Sequence, residues 1–518
     1  MHPLLSTLSS MNNAAWWKTE VVYQIYPRSF ADANGDGVGD LQGIRSRLDY
    51  LEWLGIKVLW LSPVFSSPMA DFGYDVSDYC DIDPTFGTLA DMDELIADCH
   101  RRGMRLMLDW VPNHTSEQHP WFQESRANRT NPKADWYVWR DQPSNNWLGS
   151  FREGSSAWDY DEQRGQWYLH CFLNEQPDLN WDNPDVEAAM HDTLRFWLDR
   201  GVDGFRMDVV HLIGKDIERD DPPVAAERGI SHVPFNDVAI THQRLRGIRG
   251  VLDSYPGERT SVGEVYLLDE AAMAAYYGND DELHLSFNFS FLWAKWNAAG
   301  LRNKITNTLS HLESRNAWPT WVLSNHDVPR HRQRYGGAEA DARVAAVMLL
   351  TLPGTPFMYQ GEELGLVDAA VDPATQLDPG GRDGCRAPLP WTAEPHHGWA
   401  RDPWLPFAPE GETRNVATLQ ADPGSILHLY RELLALRHSH AALNIGAFEM
   451  INSDDNVLAY TRTLGDQRVV VVLNLGNEIG TVPELLHAQR LCTTGEAATE
   501  ADLSDKVGAH AAVIALLA

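Results

Sequence analysis

The chain has little cysteine and no long hydrophobic run. Its five cysteines in 518 residues are too few and too scattered for a disulfide framework or a cysteine-based metal site, which favours reduced thiols. No run is long enough to span a membrane, and the N-terminus lacks the basic start and the apolar stretch of a signal peptide. We therefore predict a soluble, cytoplasmic protein without a membrane partner.

Basic residues are also scarce. The 42 Lys and Arg residues face 73 Asp and Glu residues, so the formal net charge is -31. An acidic surface disfavours nucleic acid and anionic membranes as partners and favours solubility. Hydrophobic residues still make up 43% of the chain and include 20 Trp, enough for sizeable cores. Nothing in the sequence distinguishes a monomer from a homo-oligomer.

Short apolar runs alternate with helical patterns between residues 20 and 365. Eight runs are typical of strands, and eight strands with helices between them are what a closed (β/α)8 barrel requires. One helix is marked by Ile44, Leu48, Leu51 and Leu54 on one face, with Gly55 as a stop. We therefore predict an α/β protein built on a TIM barrel, with strands over residues 21–26, 57–61, 104–108, 202–207, 260–263, 283–287, 320–323 and 355–359.

Two connections between strand and helix are unusually long. Residues 112–181, after the third strand, are rich in Trp, Asn, Ser and Gly and predict an inserted subdomain. Residues 367–410, after the eighth strand, are rich in Pro, Gly and Asp and predict a structured lid. The barrel would then comprise residues 1–111 and 182–440. From residue 441 to 518 short alternating β runs predict a C-terminal all-β domain, a β-sandwich.

Four segments place a carboxylate or an imidazole just after an apolar, strand-like run. Acids normally stay out of buried strands, so several at strand C-termini indicate side chains that converge on one catalytic face. Paired carboxylates on such a face indicate an enzyme. The four segments are residues 106–114 (LMLDWVPNH), 204–208 (GFRMD), 261–264 (SVGE) and 322–327 (VLSNHD).

These segments, in this order, resemble the four signature regions of glycoside hydrolase family 13, the α-amylase family. Residues 176–180 (QPDLN), 23–30 (YQIYPRSF) and 359–365 (YQGEELG) resemble its oligo-1,6-glucosidase and α-glucosidase branch. The resemblance implies that the protein cleaves small oligosaccharides or other α-glucosides with retention, which needs two carboxyl groups about 5 Å apart. It implies Asp208 as the nucleophile, Glu264 as the general acid/base and Asp327 as a third carboxylate that stabilises an oxocarbenium-like transition state.

The two reacting carboxyl groups need different protonation states. Arg206 lies two residues before Asp208 and so on the same side of the strand, and we expect its charge to keep Asp208 ionised. Glu264 has to hold its proton near neutrality, which calls for apolar or anionic surroundings. Any single acid in so acidic a chain is more typical of a solvated surface, but the ordered set favours catalysis.

The resemblance also implies residues that hold one terminal glucose. Asp71 would pair with a distant arginine, which we take to be Arg386, and Tyr74 would stack on the sugar ring. His114 and His326 would hydrogen-bond the same glucose. An Asp–Arg pair closes the pocket behind one glucose, so the enzyme would remove terminal units.

Four further side chains near these segments have less definite roles. Asp109 and Asn113 are expected to brace the site through hydrogen bonds rather than to touch the reacting bond. Phe151 and Phe172 either line the pocket or belong to the core of the inserted subdomain. The sequence does not decide between these two roles.

The linkage that is cleaved stays open. Val209 follows the nucleophile, where valine resembles α-1,6-acting enzymes and threonine or alanine α-1,4-acting ones. However, His211 stands where oligo-1,6-glucosidases usually have asparagine, and residues 214–233 match no motif of the branch. Transglucosylation is a further option, because a sugar or alcohol can intercept the covalent glucosyl-enzyme in place of water.

Two rival functions have to be weighed. A sucrose-active isomerase or hydrolase of the same family is the nearer one, but the Arg-Leu-Asp-Arg-Asp run expected of the isomerases is absent after the sixth strand. A non-catalytic barrel that acts as a transporter partner is the more distant one. It would have a membrane anchor and lost carboxylates, and this chain has the reverse.

Residues 32–40 (DANGDGVGD) place oxygen ligands at alternating positions around Gly37, as in the first part of an EF-hand loop. Gly43 replaces the closing glutamate, but members of this branch often bind Ca²⁺ or Mg²⁺ with such a loop. The alternative is a metal-free surface loop rich in Asx turns. No organic cofactor is implied. The resemblance implies a structural metal held by Asp32, Asn34, Asp36, Asp40 and the Val38 carbonyl.

Overall fold

The centre of the protein is an eight-stranded parallel barrel, as predicted. The computed structural model describes residues 14–151, 154–222, 237–486, 488–495 and 505–517. Consecutive barrel strands pair in parallel from the first to the sixth, the seventh pairs with the eighth, and the eighth with the first. The sixth and seventh strands are bridged by the Thr320 hydroxyl, which donates to the Ser286 carbonyl. The strands are Val22–Ile25, Val58–Leu61, Arg105–Trp110, Gly204–Met207, Thr260–Gly263, Leu285–Ser286, Thr320–Val322 and Thr355–Tyr359.

Helices alternate with these strands and bury their apolar faces. The predicted helix that carries Ile44 and Leu54 is interrupted at Arg47, whose backbone leaves the helical region (φ -107, ψ 7). Gly55 ends it in the left-handed conformation, as glycine at this position does best. The other helices that follow the barrel strands are Leu89–Arg101, Pro184–Asp199, Ala239–Asp253, Glu270–Ala275, Phe289–Leu292, Ala298–Glu313, His331–Arg334, Glu339–Thr351, Val416–Ala421 and Ile426–Ser439.

Strand alternation divides the barrel interior into an apolar and a polar layer. Val22, Trp60 and Met107 belong to one buried apolar cluster with residues from the other strands. Because side chains two residues apart point to the same side of a strand, the next interior positions are Gln24 and Asp109. The interior thus becomes polar at the C-terminal ends of the strands, where the site lies.

The long insertion after the third strand forms a small structure of its own. It contains the helix Pro120–Ala127 and an antiparallel sheet in the order Trp139–Arg140, Gln166–Leu169, Trp158–Asp161. The segment after the eighth strand, predicted to be a lid, contains short 3-10 turns. These turns are Pro373–Thr375, Asp383–Arg386 and Pro395–Gly398.

The C-terminal region is an antiparallel β structure, as predicted. Its five-stranded sheet has the order Ala447–Ile451, Val457–Leu464, Gln467–Asn474, Ala511–Leu516, Gln489–Thr493, and Gly480–Thr481 pairs with Lys506–Val507. The five cysteines, all in the described part of the chain, form no disulfide. Within the same part, no helix combines the length and the apolarity needed to cross a membrane. The cytoplasmic location stays a prediction.

Several histidines are buried where they cannot be charged, and this predicts sensitivity to acid. Burial lowers the pKa of His119 to about 3 and that of His114 to about 4. Since an unfolded histidine has a pKa near 6.5, each takes up a proton on unfolding below that pH. The stability is therefore complete above pH 6.5, and each histidine removes about 1.4 kcal/mol per pH unit as the pH falls towards its folded pKa.

His119→Asn tests this sensitivity at one position. Asparagine can replace His119 as the acceptor of the Trp121 N–H at the start of the helix but does not titrate. We expect the slope of the free energy of unfolding against pH, measured by urea denaturation between pH 7 and pH 5, to fall by about one proton equivalent. An unchanged slope would show that His119 does not contribute.

Candidate active site

One guanidinium gathers three carboxylates at the end of the fourth barrel strand. Arg206 Nη1 donates to Asp208 Oδ1 at 2.7 Å and to Asp109 Oδ1 at 2.8 Å, and its Nη2 donates to Glu264. The Arg206 side chain is only 3% exposed. The structure thus brings together the two carboxyl groups that the sequence assigned to catalysis, and it confirms the bracing contact of Asp109.

The single positive charge of Arg206 does not balance the charges of all three carboxyl groups. Burial raises the pKa of Asp208, and the nearby Glu264 and Asp109 carboxylates add to this against the opposing effect of Arg206. Burial likewise raises the pKa of Asp109 to about 7. The sequence-based expectation considered only Arg206, and the structure adds burial and two further acids, which act on the pKa of Asp208 in the opposite direction. Such a cluster keeps a proton near neutrality, and an acid paired with a nucleophile needs one.

Glu264 lies directly beside the residue that follows the nucleophile. The Val209 N–H donates to Glu264 Oε2 at 3.2 Å, and Val209 has a positive φ of 34, which is strained for a β-branched residue. The structure confirms only part of the predicted apolar or anionic surroundings of Glu264. Acids and Val209 are present, but so is the Arg206 guanidinium.

Asp327 and His326 belong to a second polar group. His326 Nε2 lies 2.5 Å from the Tyr74 hydroxyl and 3.2 Å from Asp327 Oδ2, while its Nδ1 lies 2.7 Å from Gln24 Nε2. Burial lowers the pKa of His326 well below its usual value and so keeps it neutral. Burial also raises the pKa of Asp327, but the positive charge beside it lowers the pKa overall. Since His326 is neutral, Arg382 at 2.9 Å and Arg386 at 3.2 Å supply that charge.

Asp71 pairs with Arg382, and the predicted pair with Arg386 was wrong. Arg382 Nη2 lies 2.7 Å from Asp71 Oδ1 and 2.7 Å from Asp378 Oδ1. Arg386 instead lies fully buried at the end of a 3-10 turn, where it contacts Asp378 at 3.0 Å and Asp327 at 3.2 Å. The two arginines share Asp378 and Asp327 as partners, but only Arg382 contacts Asp71. Arg386 therefore supports the pocket from behind.

Tyr74 and His114 belong to the same polar side of the site as Asp71 and His326. The Tyr74 ring stacks on His326, with ring centroids 5.5 Å apart and planes 3° from parallel. Gln176 Nε2 lies 3.1 Å from both Asp71 Oδ2 and His114 Nε2, so it links two residues that the sequence assigned to glucose binding.

Phe151 and Phe172 contact site residues. The Phe172 ring lies 5.1 Å from His114, the Phe151 ring lies 5.9 Å from Phe172, and the Arg382 guanidinium lies 4.8 Å from the Phe151 centroid. The apolar core of the insertion is formed by other residues, among them Trp147 and Trp158. The structure therefore favours the pocket-lining role of the two phenylalanines.

A buried lysine braces His114 from the loop after the fourth strand. Lys215 Nζ donates to Asn113 Oδ1 at 2.6 Å and lies 3.3 Å from Asp178 Oδ2. Asn113 in turn bonds Asp178 and lies 3.1 Å from His114 Nδ1. The predicted bracing role of Asn113 is confirmed by these contacts, and Lys215 is a partner that the sequence did not indicate.

Lys215→Met is expected to lower the free energy of unfolding by about 3–5 kcal/mol at pH 7, because it leaves the buried Asp178 carboxylate without its cation. Burial raises the pKa of Asp178, but the Lys215 charge and the hydrogen bonds from Cys171 together outweigh burial, so the folded pKa is depressed. The stability that the pair provides is therefore present above pH 4 and lost as the pH falls through that folded value.

Urea denaturation at pH 7 and pH 4 measures the effect of Lys215→Met, which should be smaller at pH 4, because the buried Asp178 carboxyl of the variant, without its cation, can take up a proton there. Lys295→Met, at an exposed position, is the control and should stay within about 0.5 kcal/mol of the wild type. Equal losses of unfolding free energy in the two variants would contradict the stabilising role of Lys215.

The predicted metal loop is held by its own hydrogen bonds. Asp32 accepts the Gly35 and Gly37 N–H groups, Asp36 accepts the Val38 N–H, and Asp40 accepts three backbone N–H groups. Among the described residues, no three His, Cys, Asp or Glu side chains converge in a way that could hold a metal. The Ca²⁺ or Mg²⁺ site, which would also use the Asn34 amide and the Val38 carbonyl, stays a prediction from the sequence. A melting temperature raised by Ca²⁺ after EDTA treatment would support it.

The comparisons with known proteins agree with this geometry. Residues 24–446 match the sequence model of the alpha-amylase catalytic domain. The chain belongs to the α-amylase family. Within this family it is 42% identical over 501 residues to a probable alpha-glucosidase from Rhizobium meliloti (strain 1021), a match that covers 90% of each chain. It is 38% identical over 515 residues to an oligo-1,6-glucosidase from Parageobacillus thermoglucosidasius, covering 89% of this chain and 91% of that one.

Solved structures of similar proteins cover almost the whole chain. The alpha-glucosyl transfer enzyme XgtA is 40% identical, with a TM-score of 0.89 over 98% of this chain and 100% of that one. The trehalulose synthase MutB from Pseudomonas mesoacidophila MX-45 is 32% identical, with a TM-score of 0.90 over the same shares. This member of the α-amylase family is a glycoside hydrolase, and the non-catalytic barrel is rejected.

Three residues of the site were missed from the sequence, besides Lys215. Gln24 follows Val22 by two positions, so the alternation that marks Asp109 could have found it. Arg382 lies in the same segment as Arg386, and only the turn geometry separates their roles. Asp378, which joins both arginines, carries no signal in so acidic a chain.

Proposed function

We propose that this protein is an exo-acting, retaining α-glucosidase that releases terminal glucose from short α-glucosides. The observation that carries the proposal is the contact of Asp208 and Glu264 with one guanidinium, Arg206, at the C-terminal end of the barrel. Retention requires two carboxyl groups about 5 Å apart, and a shared guanidinium keeps two groups close. Curated relatives named alpha-glucosidase and oligo-1,6-glucosidase support the same conclusion.

The reaction proceeds in two displacements. Asp208 attacks the anomeric carbon while Glu264 protonates the leaving oxygen, and a covalent glucosyl-enzyme forms. Glu264, now a base, removes a proton from water, which attacks the same carbon and releases glucose with the original configuration. The lowered pKa of Asp327 keeps its negative charge beside the oxocarbenium-like transition state.

The wall behind the sugar supports removal of single terminal units. Asp71 and Arg382 form an ion pair in which the Asp71 side chain is 5% exposed, and Asp327 and Asp378 bind the same guanidinium. A network of four charged groups that satisfy one another in this way supports a pocket that ends behind one glucose. An internal position of a glucan would have to break the pair.

The linkage preference is part of the proposal. Val209 favours α-1,6-linked substrates such as isomaltose, whereas His211 departs from the asparagine that oligo-1,6-glucosidases usually have. Val209 lies in the site, 6% exposed, with its N–H on the catalytic acid. Residues 223–233 of the loop that matched no motif lie outside the described residues. Transfer of glucose to sugars or alcohols is proposed as a side reaction, supported by the likeness to XgtA.

A time course with maltose, isomaltose, sucrose and maltotriose tests the proposal, with free glucose and transfer products followed by chromatography. We expect glucose from the earliest times, with isomaltose the best substrate and the α-anomer formed first. Turnover of maltotriose with no glucose from maltose, isomaltose or sucrose would contradict exo action on short α-glucosides. Conversion of sucrose into isomers without net hydrolysis would favour the sucrose-isomerase alternative, for which the likeness to MutB is the support.

A further inference from the structure

Gln24 lies buried on the first barrel strand, Val22–Ile25, and contacts a residue of the site. Its amide Nε2 donates to the Ser62 hydroxyl oxygen at 3.1 Å and lies 2.7 Å from Nδ1 of His326. A buried amide needs hydrogen-bond partners, and a purely structural residue would also make two such contacts. Gln24 differs from such a residue because its second partner is a histidine that the sequence assigned to glucose binding.

The opposite edge of the His326 ring shows which nitrogen carries the proton. The Tyr74 hydroxyl donates to Asp109 Oδ2 at 3.2 Å, so the proton of that hydroxyl is already used. Nε2 of His326 lies 2.5 Å from the Tyr74 oxygen and 3.2 Å from Asp327 Oδ2, and it therefore faces two acceptors. Only an N–H group suits that position, so Nε2 is the protonated nitrogen.

The Gln24 contact requires the same tautomer. Burial lowers the pKa of His326 well below its usual value, so the ring is neutral and has a single N–H. With that proton on Nε2, Nδ1 is a bare acceptor, which matches the N–H that Gln24 directs at it. The two edges of the ring thus agree independently.

The other tautomer would disturb two carboxylates. A bare Nε2 would face Asp327 Oδ2 as one acceptor against another. It would also attract the Tyr74 proton away from Asp109, which contacts Arg206. The imidazole is not free to turn away, because the rings of Tyr74 and Tyr26 lie nearly parallel to it, with centroid distances of 5.5 Å and 5.8 Å.

We propose that Gln24 is a positioning residue that fixes the Nε2–H tautomer of His326 and thereby holds Asp327 in place for the reaction. The inference rests on the proposed glucosidase function and adds a residue to its machinery. Gln24 acts through His326 and takes no part in bond making.

Gln24→Glu tests the proposal, because a carboxylate accepts where the amide donates. At low pH one proton lies between the new carboxyl group and Nδ1 of His326, and Nε2 keeps its own. When this pair loses a proton at higher pH, the remaining proton stays on Nδ1 and Nε2 becomes bare. We expect kcat/KM of Gln24→Glu, relative to the wild type at the same pH, to fall about 10- to 100-fold between pH 5 and pH 8.

Other charges near His326 influence the pH at which this loss occurs. Burial raises the pKa of Tyr74 and of Tyr26, so both stay uncharged over this range. Comparison with the wild type at each pH removes the titration of groups that the two proteins share. The charged groups around the ring are Asp327, Arg206, Arg382 and Arg386.

Two further variants are the controls. Gln24→Met keeps the length of the side chain without a donor, and its loss of kcat/KM should not depend on pH. Gln123→Glu adds the same charge at an exposed position on the helix Pro120–Ala127 and should follow the wild type at every pH. A loss in Gln24→Glu that is equal at pH 5 and pH 8 would overturn the proposal. Wild-type protein that hydrolyses none of maltose, isomaltose and sucrose would overturn the glucosidase function instead.

NMR of ¹⁵N-histidine-labelled wild-type protein tests the tautomer without relying on activity or on the folding of a variant at Gln24. The signals of His326 are those that disappear in His326→Gln. We expect a protonated Nε2 and a bare Nδ1 at pH 7. A protonated Nδ1 would overturn the proposal, whatever the substrate of the enzyme.

Discussion

Asp208→Asn is expected to lower kcat for the best α-glucoside by a factor of about 10⁴ to 10⁶, the range found when a catalytic nucleophile is removed. Asparagine keeps the size of the side chain but cannot attack the anomeric carbon, so no glucosyl-enzyme forms. Initial rates measure this loss. The variant is assayed at enzyme concentrations up to the substrate concentration, so that a residual rate about 10⁶-fold below that of the wild type can still be detected.

The fold should survive this substitution. Asp208 shares one guanidinium with Asp109 and Glu264, and burial of the three acids raises the pKa of Asp208. Removing one negative charge relieves repulsion, so the melting temperature of Asp208→Asn should equal or exceed that of the wild type. Asp216→Asn, at an exposed position on the following loop, is the control for activity. Near-normal turnover by Asp208→Asn would show that another residue is the nucleophile.

Glu264→Gln separates the role of the acid from that of the nucleophile. Loss of general acid catalysis costs about 10²- to 10⁴-fold on a substrate whose leaving oxygen needs a proton. Fluoride leaves without that proton, so formation of the glucosyl-enzyme from α-glucosyl fluoride should be largely spared. If both substrates lost activity equally in the first step, Glu264 would not be the acid.

Arg462→Met is expected to cause the largest loss of stability, at least about 4 kcal/mol, because several buried carbonyl oxygens lose a charged donor. Arg462 is fully buried on the strand Val457–Leu464 and donates to the carbonyl oxygens of Thr351, Leu443, Asn444 and Gly446. Thr351 ends one helix and Asn444 lies in the last turn of another, where a positive charge also stabilises the helix dipole. Urea denaturation measures the loss.

The same sheet offers a control for this substitution. Arg468 lies on the neighbouring strand and is exposed, so Arg468→Met should change the free energy of unfolding by less than about 0.5 kcal/mol. Arg462→Lys should recover only part of the loss, since an ammonium group cannot reach the carbonyl oxygens as a planar guanidinium does. A small effect of Arg462→Met would mean that water replaces the guanidinium at these carbonyls.

The barrel could be predicted from the sequence because its signal is local. Each strand-like run, from residues 21–26 to residues 355–359, carries its own apolar pattern, and all eight are strands in the structure. The catalytic carboxylates could be predicted because four sequence motifs occur in a fixed order along the chain. The helix break at Arg47 had no such signal, since the apolar spacing continues across it.

Properties that depend on several residues at once could not be predicted. The choice between Arg382 and Arg386 depends on how a short turn places two nearby side chains. The pKa of Asp208 depends on the number of acids that surround one cation, and those acids come from three different strands. A sequence motif identifies the catalytic residues, but it does not show how many charged groups surround them in the folded protein.

The single guanidinium of Arg206 also has an evolutionary consequence. Because Asp208 and Glu264 contact its two terminal nitrogens, a change in either acid alters the charge felt by the other. Substitutions at these three positions should show strong epistasis, so that the effect of two together differs from the sum of the single effects. We therefore expect the trio to vary as one unit among related proteins, and new specificities to arise in the loops around it.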